Sequence, residues 1–347
     1  MKTFVCETCG NKVYFESTTC VNCNHALGFH ADTLAVKALV PAGTTGLYRR
    51  VDTRAVGLVR YCSNAVHGVC NWLMGEHDAT GLCQACKLNR TIPNLAETGN
   101  LPAWGKLEHA KKRLLYSVLR FGLPFRHVPP RNGSLLFDFV RNAGTGHFDG
   151  VITIDVTETD AVERERQRQF FQEPYRSLLG HLRHESGHFY WMLLVDAAGK
   201  HDAFRRHFGD ERQNYQTALA QHHAAGPPTD WQARHVSAYA SVHPWEDWAE
   251  TWAHYLHMVD ALDTAEAAGM EPRAAGFAVG SLWPFKPSNV YRDVSFEALI
   301  QRWVPLTIAM NNLSRSMGHE DFYPFVIPAA ARDKLEFIHG AIRAIAR

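Results

Sequence analysis

Histidine and glutamate residues with the spacing of a metal-binding helix occur between His181 and Tyr190. This segment contains His184-Glu185-x-x-His188. Residues four apart lie on one face of a helix, so His184 and His188 can bind a single metal ion. Glu185 is displaced around the helix, where its carboxylate can contact a water molecule without binding the metal. Zinc lowers the pKa of such a water to about 7, and the carboxylate can accept its proton during attack on a carbonyl.

A second acidic segment downstream can supply the third ligand. It begins at His243, and Pro244 fits the start of a helix. Glu246 and Glu250 share one face of this helix, and a different face is a core stripe of Trp245, Trp248, Trp252, Leu256 and Val259. A carboxylate from a second helix is the usual third protein ligand of a peptidase zinc, which leaves the fourth position for water. A carboxylate one turn later can orient a ligating histidine through its free ring N–H.

Simpler interpretations exist for both segments. The first could be a core helix with ordinary surface histidines, and the second a solvated acidic helix start. The apolar face of the first segment and the three tryptophans of the second favour packed helices that carry a metal site.

Four cysteines near the N-terminus have the spacing of a zinc ribbon. Cys6-x2-Cys9 and Cys20-x2-Cys23 are separated by ten residues, and Gly10 and Asn24 directly follow the pairs. Two such pairs, each on a tight turn, give tetrahedral thiolate coordination. A segment of about 30 residues buries too little core to fold unaided, so metal binding and folding should be one event.

A second, less regular set consists of Cys62, Cys70 and Cys83-x2-Cys86. It predicts another structural zinc site. His67 could replace Cys70 as a ligand, or Cys62 and Cys70 could simply be buried thiols. Four sulfur ligands leave no open position, so neither cysteine set is expected to carry out chemistry.

The two histidine- and glutamate-bearing segments together resemble the gluzincin clan of zinc metallopeptidases. In that clan the ligand from the second helix is a glutamate four residues before another acid. The Glu-Asp-Trp-Ala-Glu stretch and an upstream tyrosine are similar to the lethal-factor type within the clan. The resemblance implies Glu246 as ligand, Glu250 as the acid that supports a ligand, and Tyr239 as oxyanion donor. Its departure is the interval of 57 residues that separates His188 from Glu246.

The whole chain also resembles a bacterial family of zinc-binding metallopeptidases with an N-terminal zinc ribbon. The cysteine pattern, the Arg90-Thr91-Ile92-Pro93 segment, the His-Glu helix and the Trp-Glu-Asp helix all have counterparts there. This resemblance implies a zinc-dependent peptidase.

The sequence patterns of the segments that must position these residues predict an α+β protein in three parts. We expect a zinc ribbon at 1–30, a second zinc-binding segment at 31–100, and a mainly helical, gluzincin-like catalytic domain with a small sheet at 101–347. Leu107 to Leu119 has the periodicity of an amphipathic helix. A further helix should run from Pro174 to about Val195, and helical sequence continues to the C-terminus except at Trp283–Pro287.

Two strand-like runs, Leu135–Val140 and Val151–Val156, predict the small sheet. We expect Val151–Val156 to be a sheet edge that aligns an extended substrate by backbone pairing. The charged run from Glu163 to Gln169 is typical of a solvated helical face.

The charge balance and the distribution of apolar residues indicate which partners and which cellular compartment to expect. The 36 Lys and Arg residues nearly balance the 35 Asp and Glu residues, so nucleic-acid binding is not favoured. No run approaches the roughly 18 apolar residues that span a bilayer, which predicts no membrane association. The N-terminus reaches Cys6 before any apolar run, and Cys-x-x-Cys pairs without an export signal favour reduced thiolates. We therefore expect a cytoplasmic protein.

The predicted function is peptide-bond hydrolysis with one catalytic and two structural zinc ions. Zinc and Glu185 activate water, and the substrate is a peptide or protein. One alternative is a non-catalytic adaptor whose ribbons bind a protein or nucleic-acid partner and whose third zinc is structural. Another alternative is a zinc hydrolase that acts on a non-peptide amide.

Overall fold

The computed structural model describes residues 3–43, 46–52, 56–126, 133–170, 173, 176–270, 289–292 and 294–345. The chain divides into two compact units. The first comprises Met1–Arg120, Leu136–Gly146 and Val151–Arg164, and the second comprises Phe121–Leu135, His147–Gly150 and Glu165–Arg347. The predicted domain boundaries at residues 30 and 100 stay predictions.

The first unit begins with two antiparallel sheets. One is a two-stranded sheet of β1 (Phe4–Val5) and β2 (Lys12–Val13). The other has five strands in chain order: β3 (Ala26–His30), β4 (Ala35–Pro41), β5 (Tyr48–Arg50), β6 (Val59–Tyr61) and β7 (Leu73–Gly75). Neighbouring strands are consecutive in the sequence, so short connections suffice to join them.

Helix α1 (Asn100–Phe121) contains the predicted Leu107–Leu119 helix and begins earlier. An aromatic core joins its Tyr116 to the N-terminal segment. The ring of Phe15 lies 4.7 Å from that of Phe29 in β3 and 5.4 Å from that of Tyr116. Phe4 and Trp72 pack edge-on or tilted into the same cluster. The first 30 residues therefore share the core of a larger unit, which supplies the burial that so short a segment lacks.

A third sheet contains β8 (Asn89–Thr91), β9 (Leu136–Val140), β10 (Gly146–Phe148) and β11 (Val151–Asp155), in the order β10-β11-β9-β8. Both predicted strands are present, and β9 pairs with β11 in parallel. The prediction that Val151–Val156 forms a sheet edge is wrong, because β11 is an internal strand with a neighbour on each side. The edge on that side is β10.

The remaining chain is mainly helical. It contains α2 (Ala161–Phe170), α3 (Leu178–Trp191), α4 (His201–Phe208), α5 (Tyr215–Ala225), α6 (Pro244–Ala267), α7 (Phe296–Ser316) and α8 (Ala329–Ile345). The solvated charged run is confirmed, since α2 has no buried side chain. The predicted start of α6 is also confirmed, with His243 as its N-cap and Pro244 in its first turn.

The start predicted for α3 is wrong. The helix begins at Leu178 because the Ser177 side chain caps it by accepting a hydrogen bond from the Gly180 N–H at 3.0 Å. Pro174 lies outside the described residues, as does the predicted interruption at Trp283–Pro287. At its other end α3 continues into a π-helical turn, Met192–Asp196.

The predicted α+β class is confirmed, with antiparallel sheets in the cysteine-containing N-terminal region followed by mainly helical chain and one small sheet. Each helix in the described part of the chain is too short or too polar to span a bilayer.

Candidate metal centre

Helices α3 and α6 of the second unit approach each other closely at Gly187. A Cβ added to Gly187 would lie 2.9 Å from the Cα of Ala249, so only glycine fits at this crossing. The indole of Trp248 donates a hydrogen bond to the Gly187 carbonyl at 2.8 Å, and that of Trp252 donates to the Ser186 hydroxyl at 3.1 Å. These contacts fix the axial register of the two helices.

His184 and His188 from α3 meet Glu246 from α6. One potential ligand atom from each residue lies within 4.8 Å of the other two. The distance from His184 Nε2 to Glu246 Oε2 is 2.9 Å, and that from His188 Nε2 to the same oxygen is 3.6 Å. Two imidazoles and one carboxylate are the donor set of catalytic zinc sites and leave a coordination position open. The residues therefore fit a zinc ion.

The electrostatics of this group favour a cation. Burial alone would lower the pKa of His184, but hydrogen bonds to Glu246 and Glu250 raise it well above its usual value. Burial alone would raise the pKa of Glu246, but His188 and His184 hold it well below its usual value. The same negative charge would attract a divalent ion placed between the imidazole nitrogens and the carboxylate.

Glu250 lies on the other side of the His184 ring. Its Oε1 is 2.6 Å from His184 Nδ1, and its Oε2 accepts a hydrogen bond from the Ser237 hydroxyl at 2.5 Å. Ser237 in turn accepts from the Ala240 N–H at 3.1 Å. The His184 ring is thus held between two carboxylates, with Nε2 directed toward Glu246. This is the place that the resemblance implied for Glu250.

Glu185 and Tyr239 lie close to the three potential ligands. Burial raises the pKa of Glu185 above its usual value, and the charges of His184 and His188 oppose that rise. Tyr239 begins a short 3-10 turn before α6, and its ring centroid is 5.9 Å from that of His184. Burial and the Glu246 carboxylate raise the pKa of Tyr239 well above its usual value, so its hydroxyl remains a hydrogen-bond donor.

Three neighbours of the centre were not predicted. The Tyr215 hydroxyl donates a hydrogen bond to Glu246 Oε1 at 2.9 Å. The Trp245 ring packs against His188 at 4.2 Å between centroids, and the His147 ring lies 5.9 Å from His188. The sequence pattern predicts Trp245 only as part of a core stripe. No sequence pattern distinguishes Tyr215 or His147, because both reach the centre through tertiary folding.

The N-terminal cysteines form one compact group. Cys6, Cys9, Cys20 and Cys23 bring their sulfurs within 4.8 Å of one another. Two matching turns position them. The Gly10 N–H bonds to the Cys6 carbonyl at 2.9 Å, and the Asn24 N–H bonds to the Cys20 carbonyl at 2.8 Å. Gly10 and Asn24 have φ values of 73° and 60°, the left-handed conformation that glycine and asparagine tolerate best.

The second set also converges. Cys62, Cys70, Cys83 and Cys86 are all buried and have sulfurs within 4.8 Å of one another. His67, considered as a replacement for Cys70, is exposed and packs against Trp104, with ring centroids 5.9 Å apart. The structure therefore brings Cys70, and not His67, to this group.

Two buried lysines lie beside the second cysteine group. Lys111 and Lys112 of α1 both form ion pairs with the fully buried Glu108. Lys112 Nζ also donates a hydrogen bond to the Val69 carbonyl at 2.8 Å. Burial alone would lower the pKa of Lys112, but the charges of Glu108, Cys70 and Cys86 raise it well above its usual value. Positive charge is thus held close to the sulfurs.

Comparison with known proteins identifies the family. The family model described as "Putative zinc-binding metallo-peptidase" matches residues 100–341. The chain belongs to this family. A zinc-ribbon domain model matches residues 3–97. The predicted zinc-binding metallopeptidase family with an N-terminal zinc ribbon is therefore confirmed.

Uncharacterized proteins of Mycobacterium bovis and of two Mycobacterium tuberculosis strains are similar to the whole chain. Each is 39% identical over 352 residues, which cover 100% of this chain and 96% of the relative. No solved structure gives a significant match. In this chain, the match to the peptidase family contains the histidine and glutamate centre, and the ribbon match contains both cysteine groups.

Proposed function

We propose that this protein is a zinc-dependent peptidase of the gluzincin type, with His184, His188 and Glu246 as its catalytic zinc ligands. The observation that supports the proposal most strongly is the contrast in ligand number. This group offers three protein ligands beside a buried glutamate, whereas each cysteine group offers four. A centre with three protein ligands leaves a coordination position for water or substrate.

Glu185 is the proposed general base. A bound zinc ion would polarise the substrate carbonyl and lower the pKa of the attacking water. Glu185 follows the ligand His184 on α3 and is buried, and burial raises its pKa. A carboxylate with a raised pKa accepts the water's proton more readily and can then donate it to the leaving amine.

Glu250 and Tyr239 support this reaction in different ways. Glu250 accepts the Nδ1–H of His184 at 2.6 Å, which leaves Nε2 free to bind zinc. Tyr239 keeps its proton because its pKa is raised, so its hydroxyl can donate a hydrogen bond to the oxyanion that forms. One such donor typically contributes about 2–4 kcal/mol of transition-state stabilisation.

We propose that an extended peptide substrate pairs with β10, in place of β11. β10 is an edge strand, so one side of its backbone is open to pairing. It carries His147, whose ring lies 5.9 Å from that of His188, and the adjacent Phe148 is 84% exposed. Backbone pairing here would bring a substrate past the ligand His188.

The two cysteine groups are proposed as structural zinc sites. All eight cysteines are free of disulfides. Two closed thiolate sites fit a reducing compartment, and we propose that the protein is cytoplasmic. Elemental analysis of the purified chain should give about three zinc ions, and a value near one would contradict the two structural sites.

A peptide-library experiment tests the activity. The purified full-length chain is incubated with a proteome-derived peptide library, with and without a chelator that removes zinc from the open centre. New peptide termini should appear only in the untreated sample and should return when zinc is restored. An unchanged library in every sample would contradict the proposed peptidase.

A further inference from the structure

Helix α5 lies in the long interval between the two ligand-bearing helices. None of its side chains is buried, and Asn214 caps its start by accepting a hydrogen bond from the Thr217 N–H at 2.9 Å. Its first residue, Tyr215, donates its hydroxyl hydrogen to Glu246 Oε1 at 2.9 Å. The segment that departs from the gluzincin pattern therefore contacts a proposed zinc ligand directly.

The two oxygens of Glu246 have different partners. Oε2 faces the histidines, at 2.9 Å from His184 Nε2 and 3.6 Å from His188 Nε2. Oε1 is bound by Tyr215. A carboxylate held in this way presents one oxygen to a metal and is kept from turning its other oxygen toward it.

The Tyr215 ring is held independently of its hydroxyl group. It packs edge-on against His243 and Trp245, with centroid distances of 5.4 Å and 6.1 Å. These two residues lie at the start of α6, directly before Glu246. Because the ring is anchored on the element that carries Glu246, the hydroxyl is already in place when the carboxylate binds a metal.

Tyr239 differs in its contacts. Its ring lies 5.9 Å from His184 and 6.3 Å from His222. Glu246 acts on Tyr239 through its charge, whereas Tyr215 is hydrogen-bonded to that carboxylate. Both tyrosines therefore lie near Glu246 and also interact with each other, but the hydrogen bond to the carboxylate comes from Tyr215.

We propose that Tyr215 is a positioning residue of the catalytic zinc centre, which orients Glu246 for binding through one oxygen. The inference rests on the proposed function insofar as His184, His188 and Glu246 must bind zinc. It does not require that the centre cleave peptides. The proposal gives a role to the 57 residues between His188 and Glu246. Helix α5, which lies in this interval, places the Tyr215 hydroxyl next to Glu246 of α6.

The test compares Tyr215→Phe with Tyr239→Phe in the full chain, because each variant loses one hydroxyl and keeps its ring. Zinc affinity of the open centre is measured by competition with a chromophoric chelator, while total zinc reports the cysteine sites. Tyr215→Phe should weaken binding roughly ten- to a hundredfold, the usual effect of losing a partner of a metal ligand. Tyr239→Phe should weaken binding less than Tyr215→Phe does, since it leaves the hydrogen bond from Tyr215 to Glu246 in place.

Cobalt provides a readout of ligand geometry. After zinc is removed from the open centre alone, Co²⁺ is added and its visible absorption is recorded. The spectrum should shift in Tyr215→Phe and stay that of the wild type in Tyr239→Phe. Thiolate-to-cobalt charge transfer would reveal any cobalt in the cysteine sites, and such samples would be prepared again.

The outcomes separate this inference from the proposed activity. If the wild type cleaves no peptide but Tyr215→Phe weakens zinc binding, the proposed peptidase activity is contradicted and the positioning role is supported. Wild-type affinity and spectrum in Tyr215→Phe would overturn the positioning role, whatever the activity. A loss of affinity in Tyr215→Ala but not in Tyr215→Phe would also overturn it, since ring packing alone would then matter.

Discussion

The histidine and glutamate centre and the second cysteine group place opposite charges around a site for the same ion. Zinc bound by two neutral imidazoles and one carboxylate carries net positive charge, and Glu185 and Glu250 lie close to that centre. Zinc bound by four thiolates would carry net negative charge, and the buried Lys112 lies beside the second group together with Glu108 and Lys111, which pair with each other. The two lysines outweigh the one carboxylate, so the side chains beside this group carry net positive charge.

The two regions also differ in how their ligands are assembled. Each Cys-x-x-Cys turn brings two ligands together locally, and four thiolates close the coordination sphere. The proposed open centre has three potential ligands, and their convergence depends on the packing of α3 against α6. The geometry of the open site should therefore depend on the packing of the helices that carry it. Metal binding at a closed thiolate site should instead stabilise the fold of the chain around it.

The largest effect is expected from Lys112→Met. Removing this cation leaves the buried Glu108 with Lys111 as its one cationic partner and the thiolates with less compensation, which should cost about 3–5 kcal/mol of unfolding free energy. Lys106→Met on the same helix is the matched control. Lys106 is exposed and donates to the Thr159 carbonyl at 3.1 Å, so its loss should cost less than about 1 kcal/mol. Chemical denaturation measures both, and equal losses would contradict the proposed charge compensation.

Gly187→Ala tests the scaffold of the open centre. The added methyl group would meet the α6 backbone at Ala249 and should destabilise the protein by about 1–3 kcal/mol. The matched control is Gly340→Ala in α8, where a Cβ meets nothing within 4 Å. That change should stabilise the helix by up to about 1 kcal/mol. Thermal unfolding distinguishes the two variants. An unchanged melting temperature in Gly187→Ala would contradict the close approach of α3 and α6 at this residue.

Glu250→Ala should have the next largest effect, on zinc affinity. It removes the acceptor of His184 Nδ1 and should weaken binding roughly ten- to a hundredfold, or about 1.4–2.7 kcal/mol. Glu246→Ala removes a ligand and should leave the centre largely empty while the cysteine sites keep their zinc. Full zinc in Glu246→Ala combined with zinc loss in Glu250→Ala would mean that the two roles are reversed.

Local spacing was enough to predict the residues that converge at each centre. His184 and His188 are four apart on one helix, as are Glu246 and Glu250, so helical periodicity places each pair on one face. The structure then brings the two pairs together. The cysteine groups follow similarly from short spacing, although the choice of Cys70 over His67 required the three-dimensional structure.

Contacts between distant segments could not be predicted in this way. Tyr215 reaches Glu246 from a helix with no apolar periodicity strong enough to place it. The alternation of apolar residues along a strand does not reveal the order of strands in a sheet, so it does not show that β10 lies outside β11. The buried Glu108, Lys111 and Lys112 look like solvated helix positions in the sequence, because their burial depends on tertiary packing.

The comparison of Glu185→Gln with the wild type tests the central claim most directly. Both forms are assayed on peptides that the wild type cleaves in the library, with zinc content and thermal unfolding measured in parallel. Glu185 is not a ligand in this account, so the variant should keep its zinc and its fold. It should lose hydrolysis, because an amide of nearly the same shape cannot accept the water's proton. Cleavage at the wild-type rate by fully zinc-loaded Glu185→Gln would contradict the proposed mechanism.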